Sequence, residues 1–571
     1  MVSRIINLLN REFRSINQAA IILGVFTLLA QILAMFRDRA FAATLGPSSE
    51  LDIYFASFKI PDFLFVSVAS LASVTVLLPF LVQKLGLAES GELNGSSVKA
   101  RKMLNDVFTV FMIAMVGVSV IVFILMPKIA VLVAPGFDPS QLTELVSISR
   151  IMLLSPILLG LSNMLGSVTQ MFKKFFVFAL SPVFYNLGII IGVTAFYPAF
   201  GLHGLAFGVV LGALLHLLIQ FPVLARQQFI PKLSFDIDWR EIKRITALSL
   251  PRTLGLALNS LALVVITAIA SKVGEGAVSI FQFSLNFQNV PLGIIGVSYS
   301  VAAFPTLARY FSGANMEDFV SYITVAAKQI IFWAMPVMFL FIVLRAQIIR
   351  VILGTGSFSW DDTRLTAAGL ALFSISIVGQ CLILLLTRGY YAAGNTKRPL
   401  SINFISAGIT IGLSFALIAL FRDNGSVRYL FESLLRIQEL PNTELVMLPL
   451  AFSIGSIVNT LLLWGYFRKD FKVKNTYLWR SFIEVFAGSF FIGYVAYISL
   501  DVFDEVFNID TFWGILGQGF VSGVLGIIAG IIVLKIFKNK ELDSIWNSIK
   551  SKNFFKADVV SSGQGEVQSG Q

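Results

Sequence analysis

Apolar runs of about twenty residues, each closed by a short polar or basic stretch, recur from one end of the chain to the other. A run of that length crosses a hydrocarbon core of about 30 Å as a single helix. The pattern predicts spans near 17–36, 52–82, 103–126, 142–168, 176–198, 203–225, 246–270, 278–307, 319–344, 366–387, 400–421, 444–466, 481–500 and 513–536. The expected fold is an all-α integral membrane protein of about fourteen transmembrane helices, because a helix satisfies its own backbone where no water is available.

The longest basic interruption, Arg226 to Arg244, follows the sixth span and divides the first twelve into two sets of six. The expected organisation is a basic N-terminus (1–15), an N-lobe (16–225), a connector (226–245), a C-lobe (246–470), a final helix pair (471–540) and a tail (541–571) that is partly disordered. Two faint internal similarities support the division. Gln170 to Lys174, followed by Pro182 and Asn186, is matched by Tyr390 to Pro399, followed by Asn403. The second and eighth spans each carry polar residues ahead of a proline, Lys59 before Pro61 and Asn286 to Asn289 before Pro291, with another proline lower down at Pro79 and Pro305. The last span is rich in glycine at small-xxx-small spacing, which permits close helix packing.

Five charges break the apolar pattern of the first two spans: Arg37, Asp38, Arg39, Asp52 and Lys59. Each costs about 2.5–3.5 kcal/mol at the bilayer centre, so the cluster requires partners or a wet cavity. Asp52 and Lys59, seven apart, share a helix face, and Asp62 lies three beyond Lys59. Arg37, Asp52 and Lys59 are expected to face a polar groove between the two helices, and Arg39 to snorkel to the interface. A cationic cavity suits an anionic head group such as a pyrophosphate, which arginine grips bidentately. Asp106, Arg150, Arg252 and Lys328 are further intramembrane charges whose facing the sequence leaves open.

Composition narrows the function. The chain of 571 residues is 56% hydrophobic and 13% charged, with a net charge of +11. The excess lysine and arginine fall mostly in alternate loops, so the positive-inside rule puts both termini in the cytoplasm, and basic loops beside anionic lipid explain the charge without nucleic acid. The first span lacks a small-residue cleavage site before Arg37 and reads as a retained helix. Cys381 is the only cysteine, and His203 and His216 are thirteen apart, so no metal site or cofactor is expected and packing is the better role for both histidines. No hydrolase, protease or nucleotide-binding motif appears, so no enzyme activity is expected.

Phe36-Arg37-Asp38, Leu45-Gly46 and Leu51-Asp52-Ile53-Tyr54-Phe55-Ala56-Ser57-Phe58-Lys59-Ile60-Pro61 resemble the signature of the lipid II flippase family (MurJ/MviN) within the multidrug/oligosaccharidyl-lipid/polysaccharide exporter superfamily. Ala134-Pro135-Gly136-Phe137, Pro291-Leu292-Gly293-Ile294-Ile295-Gly296-Val297 and Gly389-Tyr390-Tyr391 through Pro399 extend the resemblance over nearly the whole chain. It implies two six-helix lobes around a central cavity, with a final helix pair forming a groove for a polyprenyl tail. The implied activity is movement of the undecaprenyl-linked peptidoglycan precursor from the inner to the outer leaflet of the bacterial cytoplasmic membrane by alternating access. The implied partners are this lipid-linked glycan, membrane lipids and proteins of cell-wall synthesis. By the resemblance, Arg37, Asp38, Asp52 and Lys59 match cavity or gating charges, and Ser279 and Lys397 match polar positions of the second lobe. Where the family usually has arginine, this chain has Gln31, Phe65 and Asn286, and Ser70 and Asn289 replace acidic residues. The altered receptor leaves two alternatives: an exporter of another polyprenyl-linked glycan or a small-molecule antiporter, and a non-transporting scaffold in envelope assembly.

Overall fold

The computed structural model describes residues 16–68, 77, 80–81, 96–172, 174–473 and 478–543, and among these every regular element is helical. In chain order the helices are α1 (Ile16–Thr44), α2 (Ser49–Ser67), α3 (Ser96–Val133), α4 (Pro139–Met171), α5 (Phe175–Phe200), α6 (Leu202–Gln227), α7 (Trp239–Ala270), α8 (Ala277–Ser312) and α9 (Met316–Val343). A short α10 (Arg345–Leu353) precedes α11 (Trp360–Ser374), α12 (Ile377–Ala392) and α13 (Lys397–Asp423); α14 (Gly425–Leu435), α15 (Thr443–Asp470), α16 (Leu478–Val502) and α17 (Phe512–Ile536) complete the chain.

Among the described residues eleven helices are long and apolar enough to cross a membrane, or twelve if α11 and α12, bent by 45° at their junction, form one span. The expected fourteen is not confirmed among the described residues: α1 and α2, which hold the charge cluster, are not among the eleven. The 19-residue α2 holds Glu50, Asp52, Lys59 and Asp62, and α1 holds Arg37, Asp38 and Arg39. Most of the predicted second span beyond Ser67, with Ser70 and Pro79, lies outside the described residues.

Local chemistry explains several boundaries. Asp138 and Gln141 form a capping box that starts α4. Ser359 and Asp362 form another at α11. The bend between α11 and α12 frees backbone carbonyls, and Gln288 donates to Phe373 O at 3.2 Å while Ser453 donates to Leu372 O at 2.7 Å. Two π-turns interrupt the long helices, Gly192–Phe196 in α5 and Leu292–Val297 in α8. Glycine permits close packing of α16 on α17, where a Cβ on Gly526 would fall 2.5 Å from Ile492 O.

Asp106, whose facing the sequence left open, now has a partner in the connector. Asp106 accepts from the backbone N–H of Asp238 at 3.2 Å, Asn105 from that of Lys232 at 2.8 Å, and Lys102 pairs with Asp236 at 2.6 Å, pinning the connector to α3. His203 meets Ser147 Oγ at 2.8 Å and His216 meets Ser162 Oγ at 2.7 Å.

The hydrophobic cores show how the two sets of helices meet. At the end carrying Gly46, Gly136 and Gly276, one continuous core joins them, with Phe41, Tyr54, Phe55, Ala134 and Met152 packed together with Phe281, Phe283, Phe358 and Phe373. Toward the basic end there are separate cores. One holds Leu104, Phe111, Met164 and Leu217 with the start of α7; the other holds Leu307, Phe319, Ile330, Leu385 and Phe467. The molecule is sealed at one end and divided at the other.

Candidate functional site

Below the seal, a polar relay runs across four helices. Arg37 on α1 donates from Nε and Nη2 to Asp38 Oδ1 at 3.0 and 2.8 Å, and from Nη1 to Asn186 Oδ1 on α5 at 3.1 Å. Asn186 is oriented by donating to Pro182 O at 3.1 Å. The second oxygen of Asp38 accepts from Asn286 on α8 at 3.0 Å. Asn286 in turn accepts from Gln282 at 2.8 Å, and Gln282 accepts from Lys59 on α2 at 2.7 Å. Consecutive α1 residues point about 100° apart, yet the long arginine side chain folds back so that both partners serve one network.

A cavity of about 120 Å³ opens beside this relay, lined by Gln31, Arg37, Asp38, Asn286 and Asn289 together with apolar neighbours. Gln31 also reaches the π-turn of α8, where a Cβ on Gly293 would lie 3.1 Å from its amide nitrogen. At about 30 Å³ per water this space holds a few waters or a phosphate group, not a sugar-peptide head. Loading a large head group requires the divided end to part further.

Five predicted site residues therefore line one cavity, and Lys59 reaches it through Gln282. Asp52 and Ser279 do not. Buried Asp52 accepts from Gly276 N at 2.8 Å, from Ser279 N at 2.7 Å and from Ser279 Oγ at 2.6 Å. It caps the first turn of α8, where the helix dipole favours a carboxylate. The expected shared face with Lys59 holds, but two turns separate them along the helix, so one residue meets the seal and the other the relay. Lys397 is exposed at the start of α13 and is absent from the cavity lining. Arg39, expected at the lipid interface, instead donates to Val351 O at 2.8 Å and Ile352 O at 3.1 Å at the end of α10.

Around Asp52 the seal is built from backbone contacts. Ser357 N donates to Ala43 O at 3.1 Å, Ser49 N to Glu275 Oε1 at 3.0 Å, and Gly136 N to Ser271 Oγ at 3.2 Å. Gly46 (φ +61°) would place a Cβ 2.6 Å from Ser357 O, and Gly356 (φ +60°) would drive one into Ala43 O, so both positions need glycine for conformation and for space. Among the described residues no group of three His, Cys, Asp or Glu side chains could hold a metal ion.

Sequence reasoning missed Gln282 as a site residue and used Asn186 only as a repeat landmark. The signal for Gln282 was present: Ser279, Gln282, Asn286 and Asn289 form a polar stripe on one face of α8.

Helices that converge on a buried polar relay, sealed at one end of the membrane and parted at the other, define a multi-pass membrane transporter. Residues 41–516 match the family model described as "Lipid II flippase MurJ". The chain belongs to that family. A chain of Buchnera aphidicola subsp. Schizaphis graminum described as "Probable lipid II flippase MurJ" is 24% identical over 556 residues, covering 92% of this chain and 100% of that one. "Lipid II flippase MurJ" of Burkholderia cenocepacia is 23% identical over 480 residues, covering 83% and 87%. Among solved structures, "Lipid II flippase MurJ, inward closed conformation" superposes with a TM-score of 0.69 at 23% identity over 94% of this chain and 99% of that one. An inward-facing multidrug resistance MATE family transporter of the MOP superfamily gives a TM-score of 0.61 at 16% identity, covering 80% and 99%. These likenesses establish the helical transporter fold.

Proposed function

We propose that the chain carries lipid II from the inner to the outer leaflet of the bacterial cytoplasmic membrane for peptidoglycan synthesis, by opening its two six-helix lobes alternately to either side. The observation that carries this reading is the guanidinium of Arg37, held inside the membrane between the lobes with Asp38 as its counter-ion. A pyrophosphate offers the same bidentate acceptor as a carboxylate with more charge, so Asp38 acts as a stand-in anion that the head group displaces. Release of Asp38 frees Asn286 and, through Gln282, Lys59, so ligand arrival is felt by both lobes. The basic loops lie in the cytoplasm with both termini, and the shared core is then the outer seal. The final pair α16–α17 accommodates the polyprenyl tail, proteins of cell-wall synthesis are the partners, and no covalent chemistry is involved.

The neutral lining from Gln31, Asn286 and Asn289 supports a second reading, transport of another polyprenyl-linked glycan. Expression in a flippase-depleted bacterium separates the two. Restored growth and outer-leaflet lipid II, abolished by Arg37→Ala and weakened by Arg37→Lys, is expected. Full rescue by Arg37→Ala would overturn the role of Arg37, and absence of rescue by the intact chain would favour the other glycan.

A further inference from the structure

On the far side of α4 from the seal chemistry, a groove of about 750 Å³ runs between α3 and α4, lined by Phe123, Pro127, Leu142, Val146, Ser147 and Arg150 among others. Pro127 has no N–H, so the carbonyl of Phe123, four residues earlier in α3, loses its helical partner. Arg150 takes that place: its Nε donates to Phe123 O at 3.1 Å, and its guanidinium carbon stands 4.5 Å from the centre of the Phe123 ring. These contacts use one donor and one face of the guanidinium. Among the described residues nothing accepts from its two terminal nitrogens, and Arg150 lines the groove.

The surface beside the groove is apolar and exposed at Ile113, Val120, Ile124 and Leu132, as a helix facing lipid requires. Arg150 lies about eleven residues, or ~16 Å of helix, from Pro139 at the end of the span. That depth places it inside the hydrocarbon layer, where unpaired donors cost several kcal/mol each and persist only if an acceptor comes to them. At a lipid-facing surface the abundant acceptor attached to an apolar body is a phospholipid phosphate, and its two free oxygens match the two terminal nitrogens of the guanidinium.

We infer that the groove between α3 and α4 binds one phospholipid, with its phosphate drawn below the usual headgroup level onto Arg150 and one chain lying along Phe123, Leu142 and Val146. The bilayer is thinned locally at this face, as charges at depth require. This site requires only that α3 and α4 face lipid, so it stands or falls separately from the transported substrate.

Native mass spectrometry of the delipidated full-length protein, titrated with phosphatidylglycerol, tests the inference. Arg150→Gln alone would orphan the Phe123 carbonyl, so it is combined with Pro127→Ala, whose N–H restores the helical bond. The unaltered chain is expected to retain one phosphatidylglycerol about tenfold more tightly than the double variant, the share of one charge-assisted hydrogen bond. Val146→Trp, which fills the groove and leaves Arg150 in place, is expected to lose the same lipid, and phosphate-free diacylglycerol is expected not to compete. Equal retention by the double variant, equal competition by diacylglycerol, or no retained phospholipid with water alone meeting Arg150 would each overturn it.

Discussion

Asn286 donates to Asp38 across 3.0 Å, joining a helix of the first lobe to a helix of the second at the one carboxylate that also neutralises Arg37. Any anion that takes Arg37 therefore competes with Asp38 and loosens the tie between lobes. Asp38→Asn keeps the acceptor for Asn286 but removes the competing charge. Binding of a pyrophosphate-bearing lipid analogue to the purified protein is expected to tighten about tenfold, the scale of one charge-assisted contact, while flipping slows because release of the relay no longer accompanies loading. An unchanged affinity, measured by calorimetry, would place the head group elsewhere.

The cap on α8 sets the stability of the seal. Asp52→Ala removes an acceptor from three buried donors at Gly276 and Ser279, at a cost of about 1.5–3 kcal/mol. Cysteines at Ala43 and Ser357, whose backbones are hydrogen-bonded, should cross-link readily in the sealed state. With Asp52→Ala the cross-linking rate should fall at least about tenfold; equal rates in both backgrounds would remove Asp52 from the gate.

Gly356 offers a steric test of the same seal. Gly356→Ala sets a Cβ against Ala43 O at a positive φ, a conformation costing about 1–2 kcal/mol before the clash is counted. A cysteine introduced at Ala56, buried in the shared core, should then react with an impermeant maleimide. Cys381, buried in the separate core of the second lobe, should remain unreactive. Labelling of neither position would mean that the seal tolerates the change.

Arg150 and Pro127 should be thermodynamically coupled. Arg150→Leu leaves the Phe123 carbonyl unpaired, at about 1–3 kcal/mol. In a Pro127→Ala background the restored N–H meets that carbonyl, and the same substitution should cost a few tenths of a kcal/mol. Melting temperatures of the four proteins in phospholipid-free detergent measure the coupling, and additive losses would show that the arginine does not serve the proline break.

The polar cavity was legible because charges in hydrocarbon-length runs have few places to go, and Arg37, Asp38, Gln31, Asn286 and Asn289 do share one lining. What periodicity could not supply was depth. Asp52 and Lys59 lie on one face, but a repeat of seven residues is also a rise of about 10 Å, enough to separate a gate from a binding site. Nor could it supply partners across the lobes: Arg39 satisfies carbonyls more than three hundred residues away, and Gln282 acquires its role only when α2 is laid beside α8.

The shared core at one end carries a pharmacological consequence. Phe55 of the first lobe meets Phe283 of the second at 5.7 Å only while the lobes are closed there. When they swing apart, the facing sides of Phe55 and Phe283 are uncovered, while each keeps the aromatic neighbours of its own lobe, and they line a greasy crevice reached through the Gly46 and Gly136 loops. With this seal on the outer side, as proposed, a rigid apolar wedge entering there would jam the cycle without crossing the bilayer. Its apparent potency would be scaled by the fraction of time the crevice exists, so the drug would report the duty cycle of the machine it stops.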